Sequence, residues 1–495
     1  MKLNTNYIKC LLLLAVVFTV ACKKLVDIDE PIDTVTSVKI FSSDDQASQT
    51  LAGLYSQMVG TDGAPLLTFG GASMYGGLAA DELVPSNPVD YREDNELFTN
   101  SMLIGNTISA NLLWTAAYKN IYAANAILDG EQASTSALLT PGKRNELKAS
   151  AKFIRAFNFF YLSNFYGEIP LPLSSKYSET IKLIRVSQQA VYEQIIKDLT
   201  EAIALFPQST ASSTVRTKAN QLSAEALLAR TYLYAKNWEQ AAIHANNVMN
   251  SGQFSLAALA HTFEQNSRET IFELNVNRSV LIGRMSETVS LVPFLPLYLL
   301  PEADQEMFLD PSMYSEFQPY LVPIFYLNEN LVNAFESGDQ RKTTWVNYNG
   351  SPTDAPYNGK KYYFSNKYPN DEQERTSYIV IRLAEIYLIR AEALAMQNKA
   401  DLALADLNKI RNRAGLDNSL ASNQAGILAA IAQERRSELF TEWGHRFFDL
   451  KRTGKALIEL AKTPEKSAIN ANKLVFPIPS KEIIANPGLT QNPGY

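Results

Sequence analysis

The chain has 495 residues, 46% of them apolar and 19% charged, with 22 glycines and 22 prolines. That composition belongs to a globular protein and excludes a disordered one. Its 45 basic and 51 acidic residues give a net charge of −6, and no segment gathers enough lysine and arginine to track a phosphate backbone, which excludes nucleic acid as principal partner.

In chain order, Lys2 and Lys9 flank the start of an apolar run from Cys10 to Val20. A membrane-spanning helix needs about 20 apolar residues, so this run reads as the core of an export signal. It closes in Thr19-Val20-Ala21-Cys22-Lys23-Lys24. A small residue followed by cysteine resembles a bacterial lipobox, in which the Cys22 thiol takes a diacylglyceryl group and cleavage precedes it. Residues 1–21 are therefore expected to be a lipoprotein signal peptide. Several acyl chains then hold the mature protein on a membrane without a spanning helix.

Helical periodicity dominates the mature chain. Leu147, Ala151, Ile154, Phe157, Tyr161 and Phe165 recur at steps of three or four and form one apolar stripe. Thr140 caps that helix with Pro141 at its first position, and Gly167 with Pro170 and Pro172 ends it. Similar stripes run through Asn111–Leu128, Gln188–Phe206, Gln221–Tyr234, Tyr378–Met396 and Gln424–Glu442. Leu222, Leu227, Leu233, Asn237 and Ala242 match Leu383, Leu388, Leu394, Asn398 and Ala403 at one constant offset. Each region reads as a helix, a short turn and a second helix with small inner residues, the logic of a tetratricopeptide repeat. The predicted fold is mostly α, a scaffold of tetratricopeptide-like helical pairs.

Two stretches break the pattern, Gly60–Leu103 and about Ser251–Thr376, both rich in proline, glycine and aromatics. Long irregular insertions on a helical scaffold are where recognition surfaces are built. Three scattered histidines (His244, His261, His445) and two cysteines (Cys10, Cys22) carry no metal-ligand spacing. No nucleophile elbow, phosphate-cradling glycine loop or H-E-x-x-H is present. No catalytic residue, metal or cofactor is expected.

An ordered set of motifs then resembles one family, the SusD/RagB-like outer-membrane lipoproteins of the Bacteroidetes. It starts with Cys22-Lys23-Lys24-Leu25 through Pro31 and Ala52-Gly53-Leu54-Tyr55. Next come Trp114, Tyr118, Ile121 and Asn125, and then Phe153-Ile154-Arg155-Ala156-Phe157 running to Tyr166-Gly167-Glu168-Ile169-Pro170-Leu171. Arg382-Leu383-Ala384-Glu385, Glu434-Arg435-Arg436-Ser437-Glu438-Leu439, Gly444-His445-Arg446-Phe447-Phe448-Asp449 and the closing Asn492-Pro493-Gly494-Tyr495 complete it. The resemblance implies a single SusD-like body over 22–495. Its parts are 22–250 with most of the paired helices, 251–376 as the irregular ligand-surface segment, and 377–495 with the C-terminal signature helices. It further implies a lipid-anchored protein at the cell surface of the outer membrane. Such a protein captures oligosaccharide or polysaccharide and delivers it to a SusC-like TonB-dependent transporter. A peptide ligand, as in RagB-like members, is the alternative within that class, and a surface glycan-processing enzyme is the alternative outside it.

Sugar rings present apolar faces and hydroxyl edges, so aromatic platforms beside amides suit them. The candidates by position are Tyr75, Tyr91, Asn95 and Phe98 from the first irregular stretch, and Trp345, Asn347 and Tyr348 from the second. Trp345 leads, as the only tryptophan outside the helical signatures, and is expected to lie flat on a surface loop. Asp81, Glu82, Asp90, Glu93 and Asp94 hold carboxylates but lack the spacing of an EF-hand. Glu434, Glu438 and Glu442, at steps of four beside arginines, favour a structural ion-pair network over acid–base chemistry. That network is expected to clamp the last long helix to the loop after it, with Arg446 as a member.

Overall fold

The computed structural model describes residues 40–60, 64–208, 215–276, 286–368 and 377–495. The signal segment and Cys22 lie outside the described residues.

The fold is built mainly of helices around one long central one. Helix α1 (Asp44–Val59) starts where the Ser43 side chain accepts from the Gln46 amide, with two aspartates in its first turn. Helix α2 (Ala72–Ala79) is buried on every face and leads into strand β1 (Leu83–Pro85) and helix α3 (Arg92–Phe98). Helix α4 (Ala116–Ala133) then packs against α5 (Pro141–Tyr166). Thr140 caps α5 by accepting from the Lys143 amide, Pro141 occupies its first turn, and Gly167 at φ 75° ends it, as the residue types require.

The periodicity predicts one apolar stripe on α5, but every residue from Phe153 to Tyr166 is buried. A helix buried all round needs neighbours on every side. Helix α6 (Gln188–Leu205) covers one side, and aromatic side chains from distant parts of the chain cover the rest. Phe153 meets Phe272 at 5.1 Å, Phe157 meets Trp443 at 5.4 Å, and Phe165 meets Phe448 at 4.8 Å and Phe476 at 4.9 Å. The N-terminal and C-terminal parts thus share one aromatic core. Arg155 on α5 is neutralised by the buried Asp198 of α6 through bonds of 2.8 and 2.6 Å.

Two helical hairpins come next, α7 (Gln221–Tyr234) with α8 (Trp238–Asn250), and later Leu383–Met396 with Ala400–Arg413. Their turns hold Lys236 and Asn398 in left-handed conformations, φ 59° and 60°. Buried alanines such as Ala241, Ala245, Ala391 and Ala403 let the helices approach closely. The hairpins stack through Arg390, which pairs with Asp406 in its own hairpin and donates to Asn246 of the other at 2.8 Å. The arrangement is consistent with the tetratricopeptide-like pairing read from the sequence. Arg230 of α7 binds both oxygens of Glu385 at 2.6 Å and donates to the Tyr161 hydroxyl, joining a hairpin helix to α5.

One element differs in type from the periodicity. The helix expected from Tyr378 begins only at Leu383, and Ser377–Arg382 is a buried strand. Tyr378-Ile379-Val380-Ile381 is a β-branched and aromatic run that pairs antiparallel with strand β2 (Thr270–Asn275). The helix from Gln424 likewise ends at Glu438 rather than Glu442, because Thr441 and Trp443 take positive φ. The segment around 295–322 encloses a small core of its own, Leu297, Tyr314 and Leu321.

Candidate functional site

The two irregular stretches meet in β-structure. Strand β1 pairs antiparallel with β3 (Phe325–Leu327), Val84 opposite Tyr326. The ladder continues through Ser86 N–H to Ile324 O at 2.9 Å and Asn328 N–H to Glu82 O at 2.8 Å. Beside β3 lies a second pair, β4 (Val346–Asn349) with β5 (Tyr362–Ser365). Asn358 and Gly359, both left-handed at φ 56° and 65°, turn the chain just before Lys360-Lys361-Tyr362-Tyr363.

Successive residues of an extended chain point to opposite faces, so the two lysines diverge. Lys360 lies 4.7 Å from the ring centroids of both Tyr326 and Tyr362, and donates to the Tyr326 hydroxyl at 3.0 Å. Those rings sit edge-to-face at 5.3 Å and 88°. On the other face, Tyr348 stands directly across from Tyr363 with the rings 5.6 Å apart, and Lys361 lies 4.5 Å from the Tyr348 centroid. Tyr348 is 43% exposed and both lysines are exposed. Burial disfavours the Lys360 charge, but its bond to Tyr326 and the nearby Tyr362 and Glu329 outweigh this and hold the ammonium above its usual pKa. Each face of the hairpin therefore holds a lysine ammonium against tyrosine rings.

Of the residues proposed from the sequence, Tyr348 is at this surface. Asn347 is half-buried, and its side-chain oxygen accepts from the Tyr348 amide at 2.9 Å. Tyr91 and Asn95 are half-buried at the start of α3, which packs on α2 and β1. Three expectations are corrected. Trp345 is 1% exposed, because the expected surface loop is a short helix (Gln340–Trp345) whose last side chain turns inward. Its indole donates to Leu259 O at 3.0 Å and packs on Phe263. Tyr75, 3% exposed, is enclosed because α2 runs through the core, where a Cβ on Gly76 would lie 2.6 Å from the Gly444 Cα. Phe98, 5% exposed, lies under the buried Lys466 ammonium at 5.0 Å. Sequence reasoning missed Tyr326, Tyr362, Tyr363 and the lysines. The signal was Lys-Lys-Tyr-Tyr immediately after a turn.

The charged cluster is a closed network. Glu434 and Glu438 share a helical face as expected, but Glu442 lies beyond the helix end, and the partners of all three come from other elements. Arg382, at the end of its strand, binds Glu269, Glu438 and Glu442. Arg341 binds Asp339, Glu434 and Glu438, while Arg413 binds Glu269 and Glu438. Arg446 is not in this set; it pairs with Asp81 at 2.7 Å, as Arg436 does at 2.9 Å. Burial would raise the Glu438 pKa, but Arg413, Arg382 and Arg341 prevail and hold it well below the carboxylate range. Burial, then the neighbouring Asp81, pushes Glu82 up to about 8. Asp81 and Glu82 are both buried and closed to a polymeric substrate, and Glu93 is bound to the Thr107 amide and hydroxyl. These carboxylates form no cation cage, and among the described residues no group of three or more His, Cys, Asp or Glu is placed to hold a metal ion.

Comparison with known proteins aligns with this architecture. Residues 309–495 match the model of the SusD family, and residues 78–233 match a model described as starch-binding associating with outer membrane. SusD-like protein P25 of Formosa agariphila is 24% identical over 96% of this chain and 97% of its own. A SusD superfamily protein from Bacteroides vulgatus has the same fold, with a TM-score of 0.75 at 20% identity over 92% of this chain and all of that one. Surface glycan-binding protein A from Bacteroides thetaiotaomicron, in complex with laminarihexaose, gives 0.72 at 20% identity over 91% and 99%.

Proposed function

This chain belongs to the SusD/RagB-like family, and on that premise we propose that it is a cell-surface lipoprotein that binds oligosaccharide or polysaccharide and passes it to a SusC-like TonB-dependent transporter. The observation that carries this reading is the exposed tyrosine surface where the two irregular stretches meet. The exposed part of Tyr348, paired with Tyr363, can meet the apolar face of a sugar, and Lys361 beside it can donate to the sugar's hydroxyls. The laminarihexaose held by the structurally similar surface glycan-binding protein A supports a saccharide ligand. Removing such a platform costs about 1–3 kcal/mol, by analogy with base stacking on aromatic side chains. Tyr348→Ala is therefore expected to weaken retention in polysaccharide-containing native gels by about 5- to 150-fold. Its melting temperature should stay close to that of the wild type, because Tyr348 is exposed and lies outside the core. Undiminished retention would remove this surface from the site.

The anchor is assigned to Cys22. Among the described residues no helix is long and apolar enough to cross a membrane, and the family description places such proteins at the outer membrane. Cys22→Ala, expressed in cells lacking the transporter, should move the protein from the membrane fraction to the soluble one. Continued membrane association would refute lipidation at that position.

A further inference from the structure

We propose that the saccharide is anionic, carrying carboxylate or sulfate groups, and that Lys360 and Lys361 read those charges from the two faces of the β4–β5 hairpin; this rests on the saccharide-binding reading above.

The two ammonium groups are positioned rather than free to sweep through solvent. Lys360 is held against two perpendicular tyrosine rings and one hydroxyl, and Lys361 against the Tyr348 ring. Among the described residues neither is in an ion pair with a carboxylate, although Glu329 lies near enough to influence Lys360. The described arginines are mostly neutralised, as in the Arg382 and Arg341 network, whereas many described lysines, such as Lys451 and Lys473, are in no ion pair either. What marks Lys360 and Lys361 is that they are adjacent, exposed and each held against tyrosine rings of one hairpin.

A neutral sugar seated on these rings would take water from both ammonium groups and return only hydroxyl hydrogen bonds, which leaves a desolvation cost. A carboxylate or sulfate returns a charge-assisted bond to each. The mature chain, lacking Lys2 and Lys9, is more acidic than the full sequence and repels a polyanion as a whole, so binding one requires local positive groups such as these two. The divergence of the lysines suits a chain that curves over the hairpin edge and presents charges to both sides. A single compact anion could reach only one.

The test is titration calorimetry of the full mature chain with three probes. An oligogalacturonate carries carboxylates, a carrageenan oligosaccharide carries sulfate esters, and laminarihexaose is neutral. The wild type should bind one of the anionic probes about 10- to 100-fold more tightly than the neutral one, the margin two charge-assisted bonds provide. That margin should shrink as salt rises from about 0.05 to 0.5 M. The K360Q/K361Q variant should keep its melting temperature and lose the preference, its affinity for the anionic probe falling about 10- to 100-fold and that for laminarihexaose falling far less. The preferred anionic probe distinguishes carboxylate from sulfate recognition. Equal binding of neutral and anionic probes, or a preference that survives the double substitution, overturns this inference and leaves saccharide binding standing. Failure of all three probes to bind overturns both readings.

Discussion

Glu438→Ala is expected to destabilise the protein by about 3–5 kcal/mol, the cost of removing one partner from a buried, hydrogen-bonded charge network. Glu438 is fully buried and accepts from Arg341, Arg382 and Arg413, three guanidinium groups drawn from separate elements. Without it those cations face one another in a dry interior, with Glu269, Glu434 and Glu442 left to neutralise them. The measurement is urea denaturation of both proteins, with glycan affinity measured on the folded fraction. Affinity should be unchanged, because the network lies in the core and not at the tyrosine surface. Unaltered denaturation with lost affinity would make the cluster part of a ligand site.

The pH dependence has a definite sign. A carboxylate whose folded pKa is depressed stabilises above its unfolded pKa and loses that contribution as pH falls through the folded value. The difference between wild type and Glu438→Ala should therefore stay flat from about pH 8 to 5 and shrink progressively as pH falls below 4.5, the ordinary glutamate value. His445 acts earlier: burial, opposed by Glu385, pushes its pKa from 6.5 down to about 4. The unfolded state then binds the extra proton, so stability falls as pH drops from 6.5 towards 4 and holds its full value above 6.5.

What the sequence revealed was local. Thr140, Pro141 and Gly167 delimit α5 correctly because capping chemistry depends on residues within one turn of the helix end. The strand at Ser377–Arg382 reads as helix in the sequence because its identity comes from a partner more than a hundred residues earlier, at Thr270–Asn275. The same limit governs the site. Tyr348 is among the positions proposed from the sequence, but Tyr326, Tyr362 and Tyr363 come to lie beside it only through pairing between strands and through one turn at Asn358-Gly359. The face shared by Glu434 and Glu438 follows from a step of four, whereas Glu442, Arg341 and Arg382 reach it only through the tertiary fold.

Trp345 shows how far that limit extends, and its replacement tests the corrected placement. A rare tryptophan among asparagines suggests a sugar platform, yet the six-residue helix that aims it inward is too short to leave a periodic trace. Its ring lies between Phe263 and Phe440, with the Lys367 ammonium 5.0 Å and the Arg382 and Arg413 guanidinium groups each 5.9 Å from its centroid. The indole is thus the π surface against which the charged network packs, and Leu259 O depends on its N–H. Trp345→Ala should cost about 3–5 kcal/mol, the range for emptying a large aromatic site in a core. Trp345→Phe should cost less, since it keeps a ring beneath the cations while losing the bond to Leu259. Both variants should bind glycan with wild-type affinity once the folded fraction is taken into account. Normal thermal stability combined with lost glycan binding would return the indole to the ligand surface and remove it from the core.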